Sequence, residues 1–304
     1  MDKHISVLLN ECIENLNLKN NSIIVDCTLG YAGHSSEILK RIDKGFLFAF
    51  DQDSDAIKSS FDRLSKIGNN FEIINSNFVN IKEELNKRGI KSIEGILYDL
   101  GVSSPQLDEK ERGFSFHLDA RLDMRMNKNN LLDAYTVVNT YSYEKLIDIF
   151  YKYGEEKYAS RIASGIIKSR PIETTLELVE VIKNNVPEKY RRDHHPARRV
   201  FQAIRIEVND ELNVFEKSLK DALELLNIGG RICVITFHSL EDKICKNIFN
   251  SVSKVDDNLK KLPIIPKEYL PKYKVIKSVT PNKSELEKNN RARSAKLRVI
   301  ERIG

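Results

Sequence analysis

Apolar positions in the first third of the chain follow two alternating rhythms. Short runs rich in β-branched and aromatic residues cover Ile23–Asp26, Phe46–Phe50, Phe71–Asn75 and Gly95–Leu100. Between them the apolar positions recur at helical spacing over Ser35–Ile42, Ser54–Lys66 and Asn80–Arg88. A short helix over Met1–Leu18, with Val7, Leu8, Ile13 and Leu16 as its apolar residues, precedes the first strand. Strands alternating with helices in this way predict a parallel sheet with crossover helices. The rhythm stops after Asp99. Gly101 to Arg125 is too polar and irregular for one strand or helix, and loops of that length in compact domains are usually functional. A strand-free helical block follows, with helices over Leu131–Asn139, Tyr143–Tyr153, Glu155–Lys168, Thr175–Asn185 and the long run Pro196–Leu226. Pro196 suits the first turn of that last helix, and Gly229-Gly230 closes it. The sheet resumes with a strand over Arg231–Phe237 and a helix over Leu240–Ser253. After a Pro/Lys-rich loop, Tyr273–Val279 and Leu297–Arg302 form a closing antiparallel pair. The expected class is α/β, with residues 1–105 and 212–304 as one discontinuous domain and 106–211 as an all-helical insertion.

A chain of 304 residues can bury a full core. Its 41% hydrophobic and 31% charged residues read as a soluble globular protein. No apolar run approaches the ~18 residues a membrane helix needs. The start, MDKHISVLLNE, has neither a signal-peptide pattern nor a transit-sequence composition, so cytoplasmic is the expected location. Cys12, Cys27, Cys233 and Cys245 lack metal-type spacing and read as buried free thiols. The formal charge of +5 is unevenly spread. Lys254 to Gly304 holds fourteen Lys and Arg against six Asp and Glu, a net +8 that leaves −3 for the rest. Such an excess points to a polyanionic partner or to a solvated lysine-rich surface.

The candidate chemistry centres on Ile23 to Leu39, IIVDCTLGYAGHSSEIL. A strand ending in Asp26, a glycine turn and a helix open a nucleotide-binding βαβ unit. A second strand ends at Asp51, 21 residues after Gly30, where a carboxylate holds ribose hydroxyls in such folds. Thr28 stands where the first glycine of a dinucleotide fingerprint would be, and no Lys or Arg lies nearby. That suits S-adenosylmethionine, which has ribose and adenine but no phosphates, better than NAD; a tight βα turn that binds nothing is the alternative.

Several segments together resemble one family, the bacterial 16S ribosomal RNA cytosine-N4 methyltransferases that act on the small-subunit decoding site. They are HISVLLNE (His4–Glu11), VDCTLGYAGHS (Val25–Ser35), FDQD (Phe50–Asp53), LYDLGVSSPQLDEKERGFSF (Leu97–Phe116), LDMRM (Leu122–Met126), YGEEKYASRIA (Tyr153–Ala163), HPARRVFQAIRIEVNDEL (His195–Leu212), GGRICVITFHSLEDKI (Gly229–Ile244) and RARSAKLRVIER (Arg291–Arg302). The resemblance spans nearly the whole chain. It implies a Rossmann-like class I methyltransferase sheet, S-adenosylmethionine as cofactor, and an inserted helical domain that recognises 16S rRNA within the small ribosomal subunit. No metal or membrane is implied, and monomer and homodimer both stay open. Cofactor contacts are implied at Ala32, Gly33, His34, Asp51, Phe78, Asp99 and Gln106, with Asp99 the catalytic candidate.

Ala32–His34 form the turn at a helix start, where backbone N–H groups meet a carboxylate. Asp51 would accept from both ribose hydroxyls, Phe78 would lie against adenine, and Asp99 ends the fourth strand facing the ligand crevice. A turn, cap or core role is the alternative at each. Many amine methyltransferases of DNA carry [DNS]-P-P-[YF] at this strand end, whereas here the residues are Asp99-Leu100-Gly101-Val102. The stacking aromatic is therefore unassigned, with Phe114, Phe116 and Phe237 as candidates. Ser239 with Asp242 reads as a capping box for the next helix, with His238 available to line the site. Lys189–Arg205 holds six basic residues against one Asp. Arg198 and Arg199 suit phosphate contacts, or a solvated face, while the adjacent His194 and His195 do not make a metal pair. Two other classes compete: a non-catalytic RNA- or subunit-binding protein that retains the fold, and an enzyme with small-molecule substrates. Cofactor binding and methyl transfer separate all three.

Overall fold

The computed structural model describes residues 6–193, 195–255, 259 and 266–304. Met1–Ile5, the start of the expected first helix, His194 and most of the Pro/Lys-rich loop lie outside the described residues. The chain divides into two compact units, Met1–Gly101 with Leu212–Gly304, and Val102–Glu211. The helical unit thus starts at Val102, ahead of the expected Gln106.

In the first unit the order is α1 (Leu9–Asn15), β1 (Ile23–Asp26), α2 (Gly33–Leu39), β2 (Phe46–Asp51), α3 (Ser54–Leu64), β3 (Phe71–Asn75), α4 (Ile81–Lys87) and β4 (Ile93–Asp99). The helical unit follows with α5 (Ser104–Asp108), α6 (Ala134–Thr140), α7 (Tyr143–Lys152), α8 (Ala159–Ser169), α9 (Thr175–Asn184), α10 (Glu188–Asp193) and α11 (Ala197–Asn209). The chain then returns to the sheet through α12 (Glu211–Leu225), β5 (Leu226–Thr236), α13 (Ser239–Ser253), β6 (Tyr273–Val279), α14 (Lys283–Lys288) and β7 (Lys296–Arg302).

The sheet has seven strands in the order β3-β2-β1-β4-β5-β7-β6. The first five are parallel, and β7 runs antiparallel to both β5 and β6. The order reverses between β1 and β4, and ligands of open α/β sheets bind beyond the strand ends at such a reversal. Alternate residues of each strand face opposite layers. Val25, Phe48, Phe50, Ile96 and Tyr98 pack with Phe215 and Leu219 of α12 and with Ile248 and Phe249 of α13. Ile24, Leu47, Ala49 and Leu97 pack with Cys12, Ile38, Leu39 and Leu64 on the other side. Burial on both faces explains why the strands read as continuous apolar runs. Fully burying each Leu or Phe contributes ~1.5–3 kcal/mol relative to exposure. The four cysteines are free and buried.

The helical unit buries its own core, in which Leu146 and Phe150, Ile162 and Ile166, Leu178 and Ile182, and Val200 and Ile204 project from α7, α8, α9 and α11. The polar stretch after β4 is held in part by side chains that hydrogen-bond to its backbone. The buried Arg112 guanidinium donates to the carbonyls of Arg125 (3.0 Å) and Met126 (3.2 Å). Asn209 accepts from Met126 N–H and donates to Met124 O, both at 2.8 Å. Gly113 has φ of +69°, and a Cβ there would lie 2.5 Å from Arg121 O, so only glycine fits.

Several elements differ from the sequence reading. The run Pro196–Leu226 is two helices, because Asp210 turns left-handed (φ +50°) and ends α11. Gly229-Gly230 do not close a helix. They lie inside β5, where the pairing steps from Ile93↔Leu226 to Gly95↔Arg231 and Gly229 takes φ +82°. Leu131 is 98% exposed, and α6 starts instead at Ala134 behind Asp133, whose Oδ1 accepts from Thr136 N–H at 2.8 Å. Among the described residues no helix is long and apolar enough to cross a membrane.

Candidate active site

Three parallel strands end on a carboxylate: β1 on Asp26, β2 on Asp51 and β4 on Asp99. Asp26 is 1% exposed. Its Oδ1 accepts from Thr28 N–H (3.0 Å) and its Oδ2 from the Ser35 hydroxyl (2.7 Å). Burial raises its pKa, and these hydrogen bonds oppose the rise. Thr28, the departure from the dinucleotide fingerprint, links two strand ends. Its hydroxyl lies 3.4 Å from Asp26 Oδ1 and accepts from Asp99 N–H at 2.7 Å.

Asp51 braces the glycine turn. Its Oδ2 accepts from Gly30 N–H (2.9 Å) and its Oδ1 from Asp53 N–H (2.8 Å). Burial pushes it up to about 7, against the pull of those two bonds, and the charges of Asp53 and Asp26 push the same way as burial. A carboxylate offers roughly four acceptor positions, so two remain.

In the turn, Ala32 is fully buried at φ +58°, and its N–H donates to Leu29 O at 2.8 Å. That bond commits the Ala32 N–H within the turn and leaves Gly33 and His34 as the expected backbone donors. A Cβ on Gly33 would meet Ser6 Oγ at 1.8 Å. His34 is buried, with Nε2 3.1 Å from Val7 O and Nδ1 3.6 Å from Asp99 Oδ2.

Asp99 keeps 23% of its side chain accessible, yet its Oδ1 is buried and has no hydrogen-bond partner among the described residues. Burial, then the negative charges of Asp26 and Glu241, push it up to about 8. Leaving a buried acceptor unsatisfied costs ~1–3 kcal/mol, so this oxygen marks a ligand position.

Phe78 opens a 3₁₀ turn, Phe78–Asn80, after β3. Its ring meets Tyr98 edge-on at 5.7 Å, and its carbonyl accepts from Ser218, whose oxygen lies 2.7 Å from the buried Tyr98 hydroxyl. Glu241 was not singled out from the sequence. At 2% exposure it accepts from Phe237 N–H (2.7 Å) and His238 N–H (3.2 Å). The capping box is therefore His238 with Glu241, one residue earlier than the expected Ser239 with Asp242. Asp242 pairs instead with Arg298 (2.6 Å) and Lys296 (3.3 Å), and Arg298 holds its pKa low.

The remaining candidates, Phe237 apart, belong to the helical unit. Gln106 sits in α5, where it forms a capping box with Ser103. Phe114 is 5% exposed in the helical core, which removes it as a stacking surface. One face of Phe116 is occupied by His195, stacked at 4.4 Å. Phe237, in the first unit, is half-buried and keeps its candidacy. Arg198 and Arg199 are exposed, and Arg199 donates to Glu155 O at 2.6 Å.

The model of the MraW methylase family matches residues 1–303. The chain is 52% identical over 309 residues to the ribosomal RNA small subunit methyltransferase H of Exiguobacterium sibiricum, covering 100% of this chain and 99% of that one. It is 53% identical over 308 residues to the protein of the same name in Finegoldia magna, covering 99% of each. Among solved structures it is similar to an rRNA methylase from Streptococcus thermophilus at 11% identity and a TM-score of 0.44, over 97% of this chain and 94% of that one. The sheet itself is a doubly wound α/β sheet closed by an antiparallel β7 between β5 and β6. The chain belongs to the MraW methylase family, and S-adenosylmethionine is its cofactor.

Proposed function

We propose that this protein methylates the exocyclic N4 amine of a cytosine in the decoding site of 16S rRNA, acting on the small ribosomal subunit. The observation that carries this reading is Asp99, a strand-end carboxylate with an unpartnered buried oxygen and a pKa near 8. Two relatives more than half identical to the chain are named for small-subunit rRNA methylation, which supports RNA as the acceptor.

The residues fit the cofactor. Asp99 Oδ1 lacks a donor, Asp51 has acceptor positions to spare for ribose hydroxyls, and both carboxylates favour a cation. Phe78 offers an aromatic surface for adenine, and Gly33 and His34 offer backbone N–H groups for a carboxylate. Gln106 rests on the family resemblance alone. When bound, S-adenosylmethionine supplies an electrophilic methyl carbon on a sulfonium sulfur.

The cytosine amine is conjugated with its ring and is a poor nucleophile until an acceptor draws on its N–H. Asp99 is the acceptor. As the N–C bond forms and the S–C bond breaks, the amine sheds a proton, and a carboxylate with a raised pKa holds that proton better than an ordinary one. Alignment in a closed pocket supplies much of the remaining acceleration. Phe237 is the aromatic proposed to hold the extruded base.

Calorimetry with S-adenosylmethionine, followed by transfer of its labelled methyl group to undermodified small subunits or to naked 16S rRNA, tests the reading. Label in the RNA is expected. Cofactor binding without transfer to either RNA would make this a non-catalytic binding protein.

A further inference from the structure

The helical unit carries an open groove of about 520 Å³ between the start of α7, one face of α8 and the end of α9. Tyr143, Arg161 and Asn184 line it, together with Ser160 and Ser164, which lie four residues apart on the same face of α8. No carboxylate is among the lining residues. All three of Tyr143, Arg161 and Asn184 are exposed, and none has a hydrogen bond or ion-pair partner among the described residues. The unit as a whole holds eighteen acidic and eighteen basic residues, so an unpaired arginine in an acid-free groove is a local feature and not part of a basic face. Asn185, beside it, is spent on closing α9, its Nδ2 donating to Val181 O at 2.7 Å.

An aromatic ring, a guanidinium and an amide, with two hydroxyls beside them, form the set that holds a single-stranded nucleotide. The ring stacks on a base, the guanidinium pairs with phosphate, and the amide reads a base edge with either donor or acceptor. We propose that this groove is a nucleotide-binding subsite on the helical unit, taking an unpaired residue of the RNA substrate. The proposal rests on the reading that the protein acts on ribosomal RNA. It adds a contact outside the strand-end carboxylates, made by side chains that the fold leaves without other work.

Fluorescence anisotropy with a labelled, single-stranded 16S rRNA fragment tests it, using the full chain and the variants Tyr143→Ala, Arg161→Gln, Arg161→Lys and Asn184→Ala. Tyr143→Ala is expected to weaken binding by roughly fivefold or more, since one stacked base contributes ~1–3 kcal/mol. Arg161→Gln should lower the salt slope by about 0.7, as for one lost phosphate contact, and Arg161→Lys should restore it. S-adenosylmethionine affinity and melting temperature should stay as in the parent protein, which excludes misfolding. Parental affinity and salt slope in all four variants would overturn the groove proposal while leaving the rRNA reading intact. Failure of the parent protein to bind the fragment or small subunits would overturn the rRNA reading itself. Weaker binding to assembled subunits, with naked RNA unaffected, would assign the groove to a ribosomal protein and overturn the proposal as well.

Discussion

Asp99 Oδ2 lies 3.6 Å from Nδ1 of His34, whose Nε2 is 3.1 Å from Val7 O. The carbonyl fixes the imidazole tautomer, because Nε2 must carry the proton to donate to it. The other ring nitrogen, Nδ1, faces the Asp99 carboxylate. Burial pushes Asp99 up to about 8, so its carboxyl holds a proton more readily than an ordinary carboxylate does near neutral pH. On the reading proposed above, Asp99 is the group that takes the proton released by the cytosine amine.

Asp99→Asn keeps the size and one acceptor oxygen but removes the basic site. Its single-turnover rate at saturating cofactor is expected to fall ~10²-fold or more, beyond whatever cofactor affinity is lost with the charge. Single-turnover rates measured across S-adenosylmethionine concentrations make the check. A rate restored by saturating cofactor would mean that Asp99 holds the cofactor's ammonium group and takes no part in proton transfer.

The pH dependence follows from the two raised carboxylates, Asp51 at about 7 and Asp99 at about 8. A cationic ligand favours their ionised forms, so binding releases protons and affinity rises with pH through that window, levelling above it. S-adenosylmethionine should bind roughly three- to tenfold tighter at pH 8.5 than at pH 6.5. S-adenosylhomocysteine, without the sulfonium charge, should gain less. Calorimetric titrations of both ligands across this range make the comparison, and identical pH profiles would mean that neither carboxylate responds to the sulfonium charge.

The strand-end carboxylates were legible because parallel strands buried on both faces read as apolar runs, and the first polar residue after such a run marks the ligand edge. Asp26, Asp51 and Asp99 all stand there. What could not be read depends on single dihedrals or on distant partners. The apolar spacing of Ile204, Val208 and Phe215 continues across Asp210, so the left-handed turn there leaves no mark in the pattern. Glu241 looks like any residue of a helix start, and its importance comes from the His238 and Phe237 N–H groups it accepts from. Phe114 and Phe116 are alike in sequence, but only the packing of the helical unit puts Phe114 in the core.

Asp51→Ala removes the acceptor proposed for the ribose hydroxyls and the brace on Gly30 and Asp53. Cofactor affinity should fall by ~2–4 kcal/mol. A calorimetric dissociation constant unchanged in a folded variant would remove Asp51 from the site.

Arg198 and Arg199 are adjacent and both exposed, but among the described residues only Arg199 is tied to a carbonyl, that of Glu155. Arg198→Ala should therefore flatten the salt dependence of RNA binding by up to about 0.7–0.9 in slope, and Arg199→Ala by less. Equal slopes in the parent protein and both variants, read from anisotropy titrations across salt concentrations, would make this a solvated face.

The central claim is best tested by the nucleoside that the enzyme makes. Undermodified small subunits would be treated with the protein and S-adenosylmethionine, the 16S rRNA digested, and the nucleosides separated and identified by mass spectrometry. The expected product is N4-methylcytidine from a decoding-site fragment, strongly reduced with Asp99→Asn. A methyl group on cytosine C5, on another base or on ribose would contradict the account.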